Sequence, residues 1–532
     1  MQEIDVLVIG AGPAGTTLAL ELAAQKVSFR IIDKAPTRSD KSRALALQPR
    51  SLELLNRYGD ARDIYSMGTL TPGPSIYVNE TRLLDINLNG ICKNSPFTLP
   101  LLAPQIATEN FLDACLAKYG HAVERSTEAK DITQDADGVT VTLSTPGGKE
   151  EKIRAKYVVG TDGAHSLVRH SFKDVKFDGM SYPQEFVLSD AKLRNNDVID
   201  RSRYGVYLSE GMAIVFPLND GKVRVSFLRK ESKLGAEVTK EEVQEGFDTL
   251  VPGGGELYDH TWLTCFRLHH RLASKYREGR LFISGDAAHL HSPIGGQGMN
   301  TGIQDAINLG WKLGMVLRGE RPDSFLDTYN AERRPVGQQL INTADKTFGW
   351  LAVSHPVMVF LRNMLSPWIM PWLTRSPTFN EDVFSFMSEF GVNYRGSSLV
   401  ATGTGISGPV LGGDRAPDGK IEVDGEERYF LEMLSPGTHH MVFFSGIRNN
   451  ATTHRELDAA IDKFKNHNVD KAKVHTIVVG NKDGESVYVD SNGSLHKEYG
   501  LTNPSYIYIR PDGYVGHIGL LPNLDELMNW LK

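Results

Sequence analysis

The sequence predicts an α/β fold, α+β overall, made of a parallel-sheet domain, an inserted mostly β domain and a separate C-terminal domain. Three observations predict it. Ile4–Ile9 is a continuous apolar run that leads directly into a glycine-rich loop and a helical segment, as in a βαβ unit. Short strand-like runs separated by turns fill Phe177–Arg271. The stretch after residue 394 again alternates strand-like and helical segments.

Composition places the chain among ordinary globular proteins. It has 532 residues, of which 40% are hydrophobic and 23% charged. At about 150 residues per domain this length suggests roughly three domains. The balance excludes wholesale disorder, collagen and a small disulfide scaffold. The net charge of −7 argues against a nucleic-acid binder, which needs a surplus of Lys and Arg.

Cysteine usage and the N-terminus predict a cytoplasmic chain. The three cysteines form no CxxC motif and are far apart, which is typical of a reducing compartment. Met1 leads straight into a strand, without a basic leader segment. The most lipid-like stretch, Phe348–Leu373, is broken by a histidine, an arginine and three prolines, so it fails the criterion for a membrane span. We expect a surface helix pair or a partner contact there.

The first glycine loop, GAGPAG, carries the clearest signal. Gly10 suits the tight turn, Gly12 lets a pyrophosphate approach the backbone, and Gly15 lets helix and strand pack closely. Asp33 ends the next strand, 18 residues after Gly15, where a carboxylate can accept hydrogen bonds from a ribose diol. The same charge would repel a 2′-phosphate, so the loop predicts FAD or NAD rather than NADP.

A second match to the same glycine pattern serves as an internal control. GTGISG, at Gly403–Gly408, is followed by PVLGGD, which cannot begin a long helix, and no acidic strand end follows at the right distance. We therefore predict that this segment is a loop.

Two further loops follow apolar strands and contain Gly and Asp, like the first glycine loop; we call these three strand-ending loops the first, second and third corners. Lys156–Arg169 is a short apolar strand ending in Asp162-Gly163, which alone is a common turn dipeptide. Gly279–Leu313 holds a strand ending at Gly285-Asp286, the loop PIGGQG and a long helix. The free N–H groups at that helix N-terminus suit a ring that becomes negative when reduced.

The HxH pair beside Asp286 requires a metal site to be considered. His289 and His291 have no further ligand cluster nearby in sequence, so packing or contact with a bound cofactor is the favoured interpretation.

These motifs together resemble the FAD-dependent aromatic hydroxylases, the class A flavoprotein monooxygenases of the para-hydroxybenzoate hydroxylase and phenol hydroxylase type. The GAGPAG, DG and GD fingerprints occur in that family's order, and GWKLGMVLRGE with LDTYNAERRPV, across Gly310–Val336, also looks like the family. The resemblance is firm over residues 1–345. One departure is Asp33, where the family commonly has Glu; the charge is kept.

The resemblance implies a set of cofactor-binding residues. The loop and Asp33 would hold the FAD pyrophosphate and ribose, Asp286 the ribitol or pyrophosphate region, and the loop before the long helix the isoalloxazine. The expected FAD-contacting positions are Gly10, Gly12, Pro13, Ala14, Gly15, Asp33, Lys34, Arg43, Gln105, Asp162, Asp286, Pro293, Gly296, Gly298, Met299 and Asn300.

The resemblance also divides the chain. We expect a discontinuous Rossmann-like FAD domain at 1–175 and 272–394, a substrate sheet domain at 176–271, and a thioredoxin-like domain at 395–532. The last lacks CxxC, so we expect a structural or dimer-contact role. Aromatic side chains on the middle strands are candidates for the substrate pocket, although strand aromatics are usually core; they are Tyr204, Tyr207, Phe216 and Phe227, with Pro293 from the cofactor loop.

The implied activity is a monooxygenase that consumes NADPH or NADH and O2 and hydroxylates a phenolic or polyketide-like ring through a C4a-hydroperoxyflavin. The flavin carries the chemistry, so no catalytic side chain and no metal is expected. A Baeyer–Villiger or epoxidising enzyme, a flavin dehydrogenase or oxidase, and a binding protein with structural FAD stay open. The expected partners are a small aromatic substrate and O2, with a homodimer also open and no nucleic acid or membrane span.

Overall fold

The computed structural model describes residues 2–39, 41–42, 44–229, 233–291, 295–351, 355–447, 451–467, 471–479 and 487–532. Within these residues the helices are α1 (Pro13–Ala24), α2 (Pro49–Leu55), α3 (Gln105–Lys118), α4 (Leu167–His170), α5 (Lys240–Leu250), α6 (Gly298–Leu317), α7 (Asp327–Leu351), α8 (Pro356–Leu373), α9 (Pro377–Met387), α10 (Ala451–Lys465), α11 (Ser494–Tyr499) and α12 (Leu524–Trp530). The strands of the first half are β1 (Gln2–Ile9), β2 (Phe29–Ile32), β3 (Ala46–Leu47), β4 (Thr69–Leu70), β5 (Ser75–Val78), β6 (Thr81–Asp85), β7 (Leu101–Leu102), β8 (Glu128–Gln134), β9 (Val139–Thr145), β10 (Lys149–Gly160), β11 (Phe177–Arg194), β12 (Gly205–Leu208), β13 (Met212–Pro217) and β14 (Lys222–Leu228). The remaining strands are β15 (Glu256–Ala273), β16 (Arg277–Glu278), β17 (Leu281–Ile283), β18 (His289–Leu290), β19 (Ala401–Thr402), β20 (Lys420–Val423), β21 (Glu426–Tyr429), β22 (His440–Phe444), β23 (Lys473–Val478), β24 (Val487–Val489), β25 (Ser505–Ile509) and β26 (Val515–Leu520).

The first sheet confirms the predicted parallel core. Its strand order is β16-β17-β10-β1-β2, with β9 and β8 joined through β10. Strands β2, β1, β10 and β17 run parallel to one another. Helices α1 and α6 approach each other closely: a Cβ added to Gly310 of α6 would lie 2.5 Å from the side chain of Glu21 on α1. Four strand ends therefore meet at one edge, where a ligand binds in such folds.

The second sheet is larger than the sequence suggested. Its order is β18-β15-β11-β14-β13-β12-β5-β6, so it takes in β5 and β6 from residues 75–85 and β18 from residues 289–290. Helix α5 covers one face of this sheet, where Val243 and Phe247 join its apolar core. The other face carries a separate apolar cluster, to which Met370 of α8 contributes.

The C-terminal sheet has the topology of a thioredoxin-like domain. Strand β22 pairs in parallel with β23 across the crossover helix α10, and antiparallel with β25, which forms a hairpin with β26 before α12. A βαβ unit joined in this way to a ββα unit is the thioredoxin core. Residues 403–408, the second glycine pattern, form turns after β19 and begin no helix, which confirms that prediction.

A buried polar cluster joins the C-terminal domain to α6 and α7. The Asp512 carboxylate accepts a hydrogen bond from Trp311 Nε1 at 3.2 Å. Glu332 forms ion pairs with Arg510 at 2.7 Å and with Lys312 at 2.7 Å. All five side chains are buried, and burial lowers the pKa of Lys312 to about 8. The segment at residues 510–512 is therefore where the C-terminal domain docks on α6 and α7.

In the apolar stretch Phe348–Leu373, residues 348–351 form the end of α7 and residues 356–373 form α8, and residues 352–354 lie outside the described residues. No helix among the described residues combines the length and the hydropathy that a bilayer crossing requires.

Candidate active site

The three predicted corners meet at the carboxyl edge of the parallel sheet. Gly10 N donates to Ile32 O at 2.9 Å, Thr161 N to Ile9 O at 2.8 Å, and Ser284 N to Gly160 O at 3.0 Å. Each loop is thus held by the strand next to it. Segments that are more than 120 residues apart in sequence form one continuous edge, as a shared cofactor site requires.

The glycines of the first loop have three different steric environments. Gly10 has a φ of 101°, and a Cβ there would lie 2.5 Å from Thr161 O. A Cβ on Gly15 would lie 2.0 Å from Gly10 O, so only glycine permits α1 to pack this closely. A Cβ on Gly12 would meet no atom within 4 Å. The space beside Gly12, at the N-terminus of α1, is open to a pyrophosphate.

The residues around this loop support it in different ways. Pro13 begins α1, where its missing N–H costs no hydrogen bond. The Cβ of Ala14 would lie 3.2 Å from a Cβ on Gly285, so the first and third corners touch. Lys34 is exposed beside Asp33.

Asp33 is held where the sequence places it, at the end of β2. Its Oδ2 accepts a hydrogen bond from Ala11 N at 2.8 Å, and its Oδ1 accepts one from Ala35 N at 2.8 Å. Arg125 Nη1 lies 3.8 Å from Oδ2. Each carboxylate oxygen keeps further acceptor capacity, so the group can still bind a ribose diol.

Gln105 lies against the segment that contains Arg43. Its N donates to Ser42 Oγ at 2.7 Å, and its Oε1 accepts from Ala44 N at 3.1 Å. Arg43 itself lies outside the described residues, and so does Pro293. Arg38, which the sequence analysis missed, donates to Ala11 O at 3.4 Å and forms an ion pair with Glu109 at 2.8 Å. An arginine in the loop after β2 is the signal that could have found it.

The carboxyl group of Asp162, just after β10, has one bonded and one unpartnered oxygen. Its Oδ2 accepts a hydrogen bond from Leu167 N at 2.7 Å. Its Oδ1 is buried and has no hydrogen-bond partner in the described structure, and burial raises the pKa of the carboxyl group. This oxygen lies 2.9 Å from the Cβ position of Gly160, and a buried polar atom without a partner is costly.

The third corner is held from behind by a buried network that the sequence analysis missed. Asp305 on α6 accepts a hydrogen bond from Gly285 N at 3.2 Å and contacts His289 Nε2 at 2.8 Å. Arg333 on α7 forms an ion pair with the same carboxylate at 2.6 Å. This network positions Gly285 while Asp286, the next residue, remains exposed at the edge of the sheet.

The His pair does not lie in a metal-binding cluster. His289 is buried and its Nε2 contacts Asp305, and its ring centroid lies 6.2 Å from that of His291. Among the described residues no group of three or more His, Cys, Asp or Glu side chains is arranged to hold a metal ion.

The loop before α6 is fastened by Asn300. This buried side chain accepts from Gln48 N at 2.8 Å and donates to Ala46 O at 3.0 Å and Gly296 O at 2.7 Å. Its hydrogen bonds are used within the protein, so Asn300 shapes the loop rather than offering its amide to a ligand. The N–H groups of Gly298, Met299 and Asn300 have no earlier turn to bond to, which makes this end of α6 positive.

The cleft fits FAD on these observations. It combines open space at Gly12, a carboxylate at the end of β2 and the positive end of α6 along one edge. A dinucleotide needs the first two, and a reduced flavin ring is stabilised by the last. The contact between the first and third corners favours one shared ligand over separate ligands at separate sites.

The middle sheet separates the candidate pocket aromatics onto two faces. Tyr204 stacks on Phe216 with ring centroids 5.2 Å apart, and both lie on the face not covered by α5. Phe227 is 4% exposed on the opposite face, and a Cβ on Gly246 of α5 would lie 2.4 Å from its ring. Tyr207 belongs to that same core. Of the candidate pocket residues, Phe227 and Tyr207 therefore lie in the core under α5, and Tyr204 and Phe216 lie on the other face, because alternate strand residues point to opposite faces.

The fold and the cleft define a dinucleotide-binding flavoprotein, and comparison with known proteins agrees. Residues 3–344 match the sequence model of a protein family whose description is "FAD binding domain". An uncharacterised aromatic compound monooxygenase of Bacillus subtilis is 31% identical over 90% of this chain and 93% of its own. The 6-methylpretetramide 4-monooxygenase of Streptomyces rimosus is 30% identical over 97% and 90%. The structure of an anhydrotetracycline hydroxylase from Streptomyces rimosus superposes with a TM-score of 0.76, at 26% identity over 100% and 98%.

The chain belongs to the FAD-dependent aromatic hydroxylase family. It is an FAD-dependent monooxygenase, and NAD(P)H is the reductant. The predicted family, fold class and cofactor are confirmed.

Proposed function

We propose that this monooxygenase hydroxylates a phenol-type or tetracycline-type aromatic ring, with O2 as the oxygen donor. The single observation that carries the proposal is the face of the middle sheet away from α5, where Tyr204 and Phe216 form a stacked aromatic pair. The names of the relatives, which specify an aromatic compound, 6-methylpretetramide and anhydrotetracycline, support the substrate class.

The FAD-binding residues are part of the same proposal. Gly12 and the N-terminus of α1 would hold the pyrophosphate, Asp33 the adenosine ribose, and Asp286 the ribitol. The N–H groups at the start of α6 would lie along the ring system. Bound FAD supplies the electron-transfer and oxygen-activating chemistry, which side chains alone cannot provide.

The protein contributes position, charge and exclusion of water. The N-terminus of α6 stabilises negative charge at the ring. The apolar face of the middle sheet offers a surface of low polarity for an aromatic substrate, and burial raises the pKa of Tyr204 well above its usual value, so this hydroxyl stays protonated. A surface of low polarity there would exclude water from the reacting groups. The proposal needs no acid or base side chain.

The test is a panel of phenols and fused-ring aromatics assayed for stimulated NAD(P)H oxidation under labelled O2. One labelled oxygen atom in a hydroxylated product supports the proposal. Label inserted into a ring ester or an epoxide would indicate the other oxygenation types instead. Flavin reduced by the aromatic compound alone, without NAD(P)H, would indicate a dehydrogenase or oxidase.

Phe216 gives the pocket its own test. Phe216→Ala should raise KM for the best aromatic substrate about tenfold, since it removes a ring from the proposed contact face. Tyr258→Ala, at a partly exposed position on the same sheet, is the matched control and should leave KM unchanged. An unchanged KM in Phe216→Ala, with normal flavin content, would contradict the placement of the substrate on this face.

A further inference from the structure

Helix α8 carries its apolar stripe on the side that faces solvent. Trp368 is 80% exposed and Trp372 is 70% exposed. The other exposed apolar side chains of the helix are Val357, Met358, Phe360, Leu361, Met364, Leu365 and Ile369. Most of these follow one another at intervals of three and four residues, which is the spacing of a single helix face. Such a stripe is normally the face that a helix buries.

The polar side chains of the same helix face inward. Arg362 is 5% exposed and Ser366 is 2% exposed. Arg362 Nη2 donates to Ser209 O at 2.8 Å, and Asn363 Nδ2 donates to the same carbonyl at 3.2 Å. Turning α8 to bury its apolar stripe would break these bonds and expose the arginine's partners. The hydrogen bonds of its polar side therefore fix the orientation of the helix, and they leave the apolar stripe facing solvent, where a partner can bind.

The stripe has the size of one half of a stable interface. At these exposures its nine side chains present on the order of 1,000 Å² of mostly apolar surface. The largest apolar patch on a typical monomer is only about 300–600 Å². A standard interface buries about 800 Å² on each partner. An isolated chain would leave an exceptional area of apolar surface in water.

Charge around α8 favours a protein partner over a lipid surface. The helix has one charged residue, its arginine, and that side chain is turned inward. Glu80 and Glu210 are exposed in the turns beside it, and Glu381 and Asp382 are exposed on α9, while Arg375 is a basic neighbour. Helices that lie on membranes use Lys and Arg to meet anionic headgroups. An uncharged stripe can instead pack on an identical stripe without burying a charge.

We propose that α8 is the interface of a homodimer, in which the stripe packs on the same stripe of a second copy of this chain. In this dimer the two-fold axis is perpendicular to α8 and passes near the middle of the helix, close to Leu365, so the two copies of α8 are antiparallel. The helix has 18 residues, about 27 Å, so the Trp368 and Trp372 end of each copy covers the Leu361 end of the other. Tryptophan and other large apolar groups at the centre of the contact suit an interface hot spot.

The test measures the mass of the FAD-loaded chain by light scattering after size exclusion at micromolar concentration. We expect twice the 58.9-kDa mass of one chain. Trp368→Gln and Leu365→Glu should each raise the dimer dissociation constant about 30-fold or more. Thr378→Glu adds the same charge at an exposed position on α9, off the stripe, and should leave the dimer intact.

Flavin content and melting temperature show whether each variant is folded. Trp368→Gln guards against a folding defect in Leu365→Glu, because the tryptophan is mostly exposed in the single chain. A wild-type chain that is monomeric at these concentrations overturns the proposal, and so does a dimer that persists in both stripe variants. Flotation of a monomeric wild type with phosphatidylcholine–phosphatidylglycerol vesicles, lost in Trp368→Gln, would assign the stripe to a lipid surface and likewise reject the dimer.

Discussion

The backbone N–H of Ala11 donates to the Asp33 carboxylate at 2.8 Å, which joins the glycine loop to the end of the second strand. The carboxylate that is proposed to bind ribose therefore also shapes the loop that is proposed to bind pyrophosphate. Asp33→Asn keeps one acceptor oxygen but removes the charge, and a charged hydrogen bond contributes about 1.5–3 kcal/mol. We expect FAD affinity to fall about 10- to 100-fold, measured by titration of the apoprotein. Unchanged affinity would remove Asp33 from the site.

Gly12 and Gly15 make a matched pair. Gly15→Ala places a Cβ 2.0 Å from Gly10 O and should destabilise even the FAD-free protein, by about 1–3 kcal/mol or more. Gly12→Ala meets no protein atom within 4 Å, so the FAD-free melting temperature should stay the same while FAD binding weakens. Melting curves with and without FAD distinguish the two effects. Equal behaviour of the two variants would contradict the assignment of the open space to a pyrophosphate.

Asp286→Ala should sharply reduce FAD retention during purification, because the side chain is exposed at the edge where the corners meet. Asp137→Ala, at an exposed position in the hairpin between β8 and β9, is the control and should retain FAD. The ratio of flavin to protein absorbance measures both. Full flavin occupancy in Asp286→Ala would reject the ribitol assignment.

Asn300→Ala should disorganise the loop before α6. It leaves Gln48 N, Ala46 O and Gly296 O without their side-chain partner, and each buried unpaired group costs about 1–3 kcal/mol. We expect a lower melting temperature and weaker flavin binding, read by calorimetry and by flavin fluorescence. A stable variant that binds FAD normally would show that the loop holds its shape without this side chain.

Glu389 should make stability depend on pH. Burial raises its pKa to about 8, and Thr301 Oγ1 donates to it at 3.2 Å. The unfolded chain loses this proton near pH 4.5, whereas the folded chain keeps it to about pH 8, so stability falls as pH rises across that range. The slope is at most about 1.4 kcal/mol per pH unit. Glu389→Gln should flatten it in denaturant titrations at pH 5, 6.5 and 8. Parallel curves for both proteins would contradict the assignment.

The sequence predicted the parts of the site that depend on local chain geometry. Gly10, Gly12 and Gly15 have the turn, the opening and the close packing that a βαβ unit demands, and Asp33 lies at the end of its strand. These features depend on residues close together in the chain, so the spacing of the glycines and of the acidic residue is enough to predict them.

The parts that were missed depend on contacts between distant segments. Strands β5 and β6 join the middle sheet through a parallel pairing with β12, which no local pattern announces. The sequence pattern does not distinguish Phe216 from Phe227. Only the position of α5 shows which face of the middle sheet it covers. The support of the third corner by Asp305 and Arg333 likewise appears only once α6 and α7 are packed together.

The docking of Asp512 and Arg510 against α6 and α7 has a consequence for any attempt to exchange the tail between relatives. A C-terminal domain from a relative that lacks Asp512 and Arg510 would leave Glu332 and Lys312 buried without these two charged neighbours. The free energy of unfolding would fall by about 3–5 kcal/mol. A chimera therefore needs its junction placed so that Asp512, Arg510, Glu332 and Lys312 come from the same parent, or all four charged residues transferred together.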